Sequence, residues 1–395
     1  MPAAERRRLR VAIVAASLRI IGGQAVQVQC LVDGWASSRD VDAWFVPINP
    51  IPPKPFRWLL AIKFIRTLVT ELSYLPLLVR ALRRADVVHV FSASYTSFLL
   101  ATLPAVMVAK LMSRPVIVNY HSGEAPDHLR RSAIARLVMK RWVDAVVVPS
   151  TFLRGVFAAF GISAHVVANT IDVTRFAYRV RDPLRPRLIS TRNFEPLYNV
   201  SCTLRAFARV QARCPEASLT LVGDGSQQRA LRALADDLRL RNVTFVGRVD
   251  PSQIHRYYAD ADLYVQTPAI DNMPLSVLEA FASGLPVVAT RIGGVPAILA
   301  DGVHGVLVPA DDHEALAAQV MKLVEEPAYA RRLAAAARES CAAYEWPVVA
   351  AQWLAIYRSL ASSVTDDVMI ASADGPRPAE QVAETSEPWR PSESA

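Results

Sequence analysis

One pattern governs what this chain can fold into: short Val/Ile-rich runs alternate with longer helical patterns, and the alternation starts twice. The first series is Leu9–Ala16, Val41–Ile48, Asp86–Phe91, Pro115–His121 and Asp144–Pro149. After Asn169-Thr170-Ile171-Asp172 and a Pro/Arg-rich joint (Arg181 to Arg187) the second begins: Leu188–Arg192, Ser218–Gly223, Val243–Gly247, Asp262–Gln266, Pro286–Thr290 and Gly305–Val308. Strands that are apolar throughout belong to parallel sheets covered on both faces by helices. The expected class is therefore α/β, with two doubly wound Rossmann-like domains facing a central cleft, and 395 residues are enough for both. The expected boundaries are 1–172 for an N-terminal Rossmann-like domain and 173–345 for a C-terminal one. A helix over 346–361 is expected to cross back to the N-terminal domain, and the acidic, Ala/Ser/Pro-rich segment 362–395 to be disordered.

Charge is unevenly spread. Residues 1–180 hold 23 basic and 10 acidic side chains, residues 181–360 hold 19 of each, and residues 361–395 hold 2 and 7. A basic first half suits an anionic membrane or substrate. Nucleic acid is not the expected partner, because no helix-turn-helix, zinc-finger or RNA-recognition signature accompanies the charge. An apolar content of 52% excludes a disordered or fibrous chain. Cys30, Cys202, Cys214 and Cys341 lack C-x-x-C spacing, and the Glu5-Arg6-Arg7-Arg8 start runs into a strand without a signal-peptide core, so a cytoplasmic setting is expected. The uncharged run Val87–Ala109 contains Ser92, Ser94, Thr96, Ser97 and Pro104, and reads as strand, loop and buried helix rather than a membrane span. On a helical wheel of Lys54–Ala85, Trp58, Ile62, Ile65, Val69 and Leu72 form one stripe and Leu60, Phe64 and Leu68 another, with Lys63 and Arg66 between them. One stripe suffices for a core. The second, flanked by Lys54, Arg57, Arg80, Arg83 and Arg84, fits either a bilayer surface or a helix buried on both sides.

The most informative stretch runs from Asp271 to Pro286 (DNMPLSVLEAFASGLP). Pro274 suits a first helical turn and Gly284 the left-handed residue after the last. Asp271 and Asn272 then precede a helix N-terminus, where free N–H groups and the helix dipole attract a diphosphate. Glu279 lies about one and a half turns in, where a carboxylate can accept hydrogen bonds from a ribose diol; in isolation such a spacing is as readily a cap and a surface charge. Followed by Val287-Val288-Ala289-Thr290 and Gly293-Gly294, this stretch resembles the signature of the retaining glycosyltransferases of family four (glycosyl transferases group 1), with Asp271 and Glu279 as the ends of an E-x7-E motif. The resemblance is strong over Leu188–Tyr357 and looser over the first half.

The resemblance implies the two-domain GT-B fold, with 1–172 as the acceptor-side domain and 173–345 as the nucleotide-sugar-binding domain, and a set of site residues. Gly22-Gly23 resembles the glycine loop that approaches the donor phosphates. Arg192 matches the arginine that neutralises the diphosphate as the sugar leaves, a task suited to its fork. Gly223-Asp224-Gly225 resembles the family's G-D-G turn and is read as architecture. Val249, in Val246-Gly247-Arg248-Val249, resembles the edge that holds the base, leaving uridine and guanosine equally open. His121 occupies the strand end where the family places a histidine near the donor sugar. The implied catalytic residues are Arg192, His121 and Asp271. The implied donor-binding residues are Gly22, Gly23, Arg192, Val249, Asp271, Asn272, Met273, Pro274, Leu275 and Glu279.

There are two departures. The family's lysine six residues after the arginine is replaced by Tyr198, and Asp271 stands for the first glutamate. The implied function is transfer of a sugar, with retention, from a UDP- or GDP-sugar to a saccharide or lipid-linked acceptor of an envelope or exopolysaccharide glycan. It would be carried out by a peripheral enzyme at the inner face of the membrane. Tyr198 leaves open a catalytically weak nucleotide-sugar-binding protein, and an epimerase of the same fold would have Glu124 and Glu195 as spare carboxylates. No metal or other cofactor is expected: Asp260-Ala261-Asp262 reads as strand punctuation, and the seven histidines show no zinc spacing.

Overall fold

The computed structural model describes residues 7–17, 23–52, 54–62 and 65–370. Gly22, Lys63, Phe64, the Leu60 side chain and residues 371–395 lie outside the described residues. The chain divides into two compact units, one of Met1–Val167 with Ala350–Ala395 and the other of Ala168–Val349.

The first unit is built on six parallel strands: β1 (Leu9–Ala15), β2 (Val41–Pro47), β3 (Val87–Ser92), β4 (Val116–Tyr120), β5 (Ala145–Val148) and β6 (His165–Val166). Their order is β2-β1-β3-β4-β5-β6, and β1 runs in register with both β2 and β3. Strands β3, β4 and β5 are buried along their whole length, which explains their unbroken apolar runs. The two-residue edge strand β6 has no sequence signal, being too short to show a pattern.

The second unit repeats the scheme with β7 (Arg187–Ser190), β8 (Ser218–Val222), β9 (Val243–Gly247), β10 (Leu263–Gln266), β11 (Val287–Thr290) and β12 (Val306–Val308). Its order is β12-β11-β10-β7-β8-β9. The chain reverses direction across the sheet between β7 and β10, and the crevice outside the carboxyl ends of those two strands is where such a sheet binds ligands.

Val87–Ala109 folds as strand β3, a turn at Tyr95 with φ 56°, and a helical stretch that ends at Leu111. Among the described residues no helix is long and apolar enough to cross a membrane.

Two expectations need correction. Lys54–Ala85 is not one helix: a 3-10 segment (Lys54–Ala61) is followed by an α-helix (Ile65–Leu82) that contains Pro76. Within that helix the residues turned to the core are Tyr74, Leu78, Ala81 and Leu82. The stripe expected to fill the core is outside, with Trp58 65% and Leu72 64% exposed, and Leu68 of the other stripe is 60% exposed. The final helix also runs further than expected, from Trp346 to Ile370. Between Ser362 and Ile370 the sequence offers no Pro or Gly to stop it, the first being Gly375-Pro376.

From Ala350 onward that helix belongs to the first unit. Trp353 and Tyr357 are buried and pack on His89 of β3, with ring centroids 4.3 and 5.9 Å away. His89 Nδ1 lies 2.8 Å from the Tyr357 hydroxyl and Nε2 lies 3.1 Å from the Asn119 carboxamide nitrogen. Both contacts are met by a neutral ring that donates at Nδ1 and accepts at Nε2. Burial agrees, pushing the His89 pKa down to about 3. Tyr357→Phe removes the oxygen and leaves a buried N–H unpaired, so it should lower unfolding free energy by about 1–3 kcal/mol in chemical denaturation.

Candidate functional site

The second unit's strand ends carry the sequence-predicted side chains to one place. Strand β7 ends at Ser190 and delivers Thr191 and Arg192; β10 ends at Gln266 and leads through Thr267–Ile270 to Asp271. Arg192 Nη2 meets Asp271 Oδ2 at 2.5 Å, and Nη1 donates to Ser276 Oγ at 3.1 Å. The pair closes the gap between the two loops with side chains only 10% and 13% exposed. The Arg192 Nε–H is buried and has no acceptor among the described residues. A guanidinium has five N–H donors, so the two bonds leave donors for an anion.

Burial raises the Asp271 pKa, against the pull of Arg192 and of the Asn272 N–H that donates to Oδ1 at 2.9 Å. For Arg192 burial acts against the charge, yet the nearby Asp271 and tyrosines keep its pKa above the usual value. Removing either partner would strand a buried charge.

Glycines let neighbouring turns pass close against each of these loops. A Cβ on Gly223 would lie 2.1 Å from the Arg192 carbonyl oxygen, and one on Gly294 would lie 1.9 Å from that of Asn272. The G-D-G turn and the Gly293-Gly294 pair therefore hold the Arg192 and Asp271–Asn272 backbones in place.

The helix Leu275–Ala282 follows. Pro274 is its N-cap, with φ −68° and ψ 116°, rather than a residue of the first turn, because that ψ is still extended. Gly284, at φ 72°, takes the left-handed place past the end as expected. Glu279 Oε2 accepts from the Tyr258 hydroxyl at 2.7 Å, and that hydroxyl lies 2.7 Å from Thr191 Oγ1. A relay Thr191–Tyr258–Glu279 thus ties the carboxylate to the residue beside Arg192. Burial raises the Glu279 pKa above its ordinary 4.5 while the Tyr258 bond opposes the shift.

Asn272, Met273 and Pro274 are buried, and Leu275 is half-buried. The Met273 carbonyl accepts from Asn169 Nδ2 at 3.1 Å. Val249 follows β9 and packs on the cluster that includes Met273 and Tyr258.

The remaining expected residues belong to the other unit. Gly22 lies outside the described residues, and Gly23 is exposed at the start of the helix Gly23–Ala36. His121 follows β4, stacks on Phe91 with centroids 5.1 Å apart, and has a buried Nε2 without a partner among the described residues. Burial pushes its pKa down to about 4, so near neutral pH it is an uncharged hydrogen-bonding group rather than a cation. Glu195 is held by the Ser226 N–H and hydroxyl, which lower its pKa. Asp262 of the D-x-D is fully buried under Arg187 at 2.5 Å and Arg179 at 3.2 Å. Among the described residues no group of three or more His, Cys, Asp or Glu side chains is placed to hold a metal ion.

Sequence reading missed Thr191, Tyr258, Tyr264, Gln266 and Ser276. Hydroxyl and amide side chains in buried runs look like core residues, and only the fold shows which end of a strand or helix they occupy.

The paired six-stranded parallel sheets define the class: this is a GT-B protein with two Rossmann-type units. The crystal structure of Anabaena HepE in complex with UDP-glucose superposes with a TM-score of 0.70 at 18% identity, covering 91% of this chain and all of that one. Residues 21–175 match Glycosyltransferase Family 4 and residues 179–340 match Glycosyl transferases group 1. The chain belongs to this glycosyltransferase family. The sulfoquinovosyl transferase SQD2 of Arabidopsis thaliana is 27% identical over 67% of the chain, which spans about half (54%) of that relative's length. The phosphatidyl-myo-inositol mannosyltransferase of Mycolicibacterium smegmatis is 27% identical over 70% of this chain and 72% of its own.

A raised carboxyl pKa in the folded state means that ionising Glu279 costs stability. Glu279→Gln keeps an acceptor for Tyr258 without that cost. Its thermal midpoint should exceed the wild type's at pH 7–8, and the gap should close as pH falls below the ordinary 4.5.

Proposed function

We propose that the chain transfers a sugar from a UDP- or GDP-sugar to an acceptor with retention of anomeric configuration. The observation that carries this reading is the convergence at the β7/β10 ends of one cation with unused donors, a helix N-terminus and a buried, tyrosine-held carboxylate. Arg192 and the first-turn amides after Pro274 would take the diphosphate, Glu279 the ribose hydroxyls, Asp271 and the Asn272–Leu275 backbone the sugar hydroxyls, and Val249 the edge of the base. For His121 and the Gly22-Gly23 loop the family resemblance implies contacts with the donor sugar and its phosphates, the neutral imidazole acting as a hydrogen-bonding group. As the bond from the anomeric carbon to the phosphate oxygen breaks, the acceptor oxygen bonds from the same face and its proton passes to the leaving diphosphate. Charge grows on that diphosphate in the transition state, which is where donors fixed in advance contribute most.

Arg192 and the helix N-terminal amides would supply what a divalent ion would, and the reading is metal-independent. Sugar transfer should survive chelation by EDTA unchanged; activity that vanishes and returns with manganese would overturn it. Glu279→Ala should lower kcat/KM on the best donor of a UDP- and GDP-sugar panel by about 100-fold, since a hydrogen bond to a charged group is lost at each ribose hydroxyl. The Arg192–Asp271 ion pair and Tyr198 favour a second reading, a nucleotide-sugar-binding protein of weak catalysis, which the same panel tests as binding without transfer or donor hydrolysis.

For the acceptor we infer a lipid-linked saccharide reached from an anionic membrane, on the cytoplasmic face. The support is the exposed face of Trp58, Ile62, Ile65, Leu68, Leu72 and Leu75 beside exposed Lys54, Arg57 and Arg66, in the half of the chain that carries the positive charge. Apolar side chains entering the headgroup boundary and basic residues at about 1 kcal/mol each would hold the protein there. Leu68→Glu/Leu72→Glu should abolish co-sedimentation with anionic vesicles while leaving transfer to a soluble acceptor intact. Equal sedimentation of variant and wild type would refute the membrane reading.

A further inference from the structure

The Arg192 guanidinium has a neighbour that the proposed chemistry leaves without a task. Its central carbon lies 4.1 Å from the ring centroid of Tyr198. That distance puts the cation over the ring face, where the aromatic quadrupole attracts it, and a weakly hydrated planar guanidinium suits the stack better than an ammonium.

The ring is held firmly. Pro196–Tyr198 forms a 3-10 turn in which Tyr198 N donates to the Glu195 carbonyl at 3.0 Å, and the Tyr198 side chain packs on the apolar core beside Val200 and Leu204. The Leu197 carbonyl accepts from Ala269 N at 2.8 Å and Ile270 N at 3.3 Å, and the Asn199 carbonyl accepts from Thr267 Oγ1 at 2.8 Å. The loop that carries Tyr198 is thereby stitched to the segment that runs into Asp271. On the guanidinium's other edge, Ser276 Oγ, which accepts from Nη1, donates to Gln266 Oε1 at 3.3 Å, and that oxygen also accepts from the Tyr264 hydroxyl at 3.2 Å. Arg192 is therefore fixed at one face and two edges.

We propose that Tyr198 is a positioning residue for Arg192: its ring holds the guanidinium plane so that a single oriented cation serves the donor diphosphate. The inference rests on the nucleotide-sugar reading of the site. It assigns the tyrosine that departs from the family pattern an active part through Arg192 rather than the filling of a gap in the core.

The test is calorimetric binding of UDP, GDP, uridine and guanosine to the full chain and to Y198F, Y198L, R192Q and R192Q/Y198L, with thermal midpoints as a check on folding. Leucine keeps the apolar packing and removes the ring; phenylalanine keeps both. Y198L should weaken the preferred diphosphate about tenfold, leave its nucleoside unchanged, and add no further loss in the R192Q background. Y198F should bind within about twofold of wild type. In turnover, Y198L should lower kcat more than it raises KM. Equal loss for nucleoside and diphosphate, or the same loss with and without Arg192, would make Tyr198 a structural residue and overturn the proposal. A wild type that binds no nucleoside or nucleoside diphosphate would remove the nucleotide-sugar reading itself, and the proposal with it.

Discussion

The ion pair between Arg192 and Asp271 organises the second unit. It joins the loops beyond β7 and β10 at the point where the strand order reverses, so it spans the one place on the sheet edge where neighbouring connections part. A nearly buried pair is costly to desolvate and holds only when both charges are well met. Its surroundings follow from that demand. Glycines at 223 and 294 let adjacent turns pack against the Arg192 and Asn272 carbonyls, Ser276 and Tyr198 take the guanidinium's edge and face, and the Asn272 N–H takes the second carboxylate oxygen.

The same economy of charge recurs around Glu279. Its carboxylate is buried behind Tyr258, and the Tyr258 hydroxyl is shared with Thr191, one residue from Arg192. Acid and cation are thus linked through a covalent neighbour and two hydroxyls rather than by direct contact. The first unit uses a different device: a buried imidazole at 89 and a half-buried one at 121 are kept neutral by desolvation, the first with both nitrogens engaged and the second with Nε2 unpaired among the described residues.

Much of the fold was legible because parallel strands buried on both faces must be apolar throughout, and eleven of those runs are visible in the sequence. The placement of Asp271 just before, and Glu279 within, one short helix was legible too, since there spacing fixes geometry. The partners of those residues were not. Tyr258 and Gln266 look like ordinary core residues until helix and strand place them beside Glu279 and Ser276. The helical wheel over Lys54–Ala85 failed for a related reason: it assumes one continuous helix, whereas a 3-10 segment precedes an α-helix whose buried residues begin only at Tyr74.

The sequence by itself determined the alternating α/β order, the glycines at close approaches and the charged residues at strand and helix ends, because each follows from local backbone geometry or from burial of a single element. Tertiary structure alone decided that Arg192 meets Asp271 and Tyr198, that His89 receives Tyr357, and which face of the Ile65–Leu82 helix is left outside. Those contacts join residues far apart in the chain, and only strand order and the phase of each helix bring them within bonding distance.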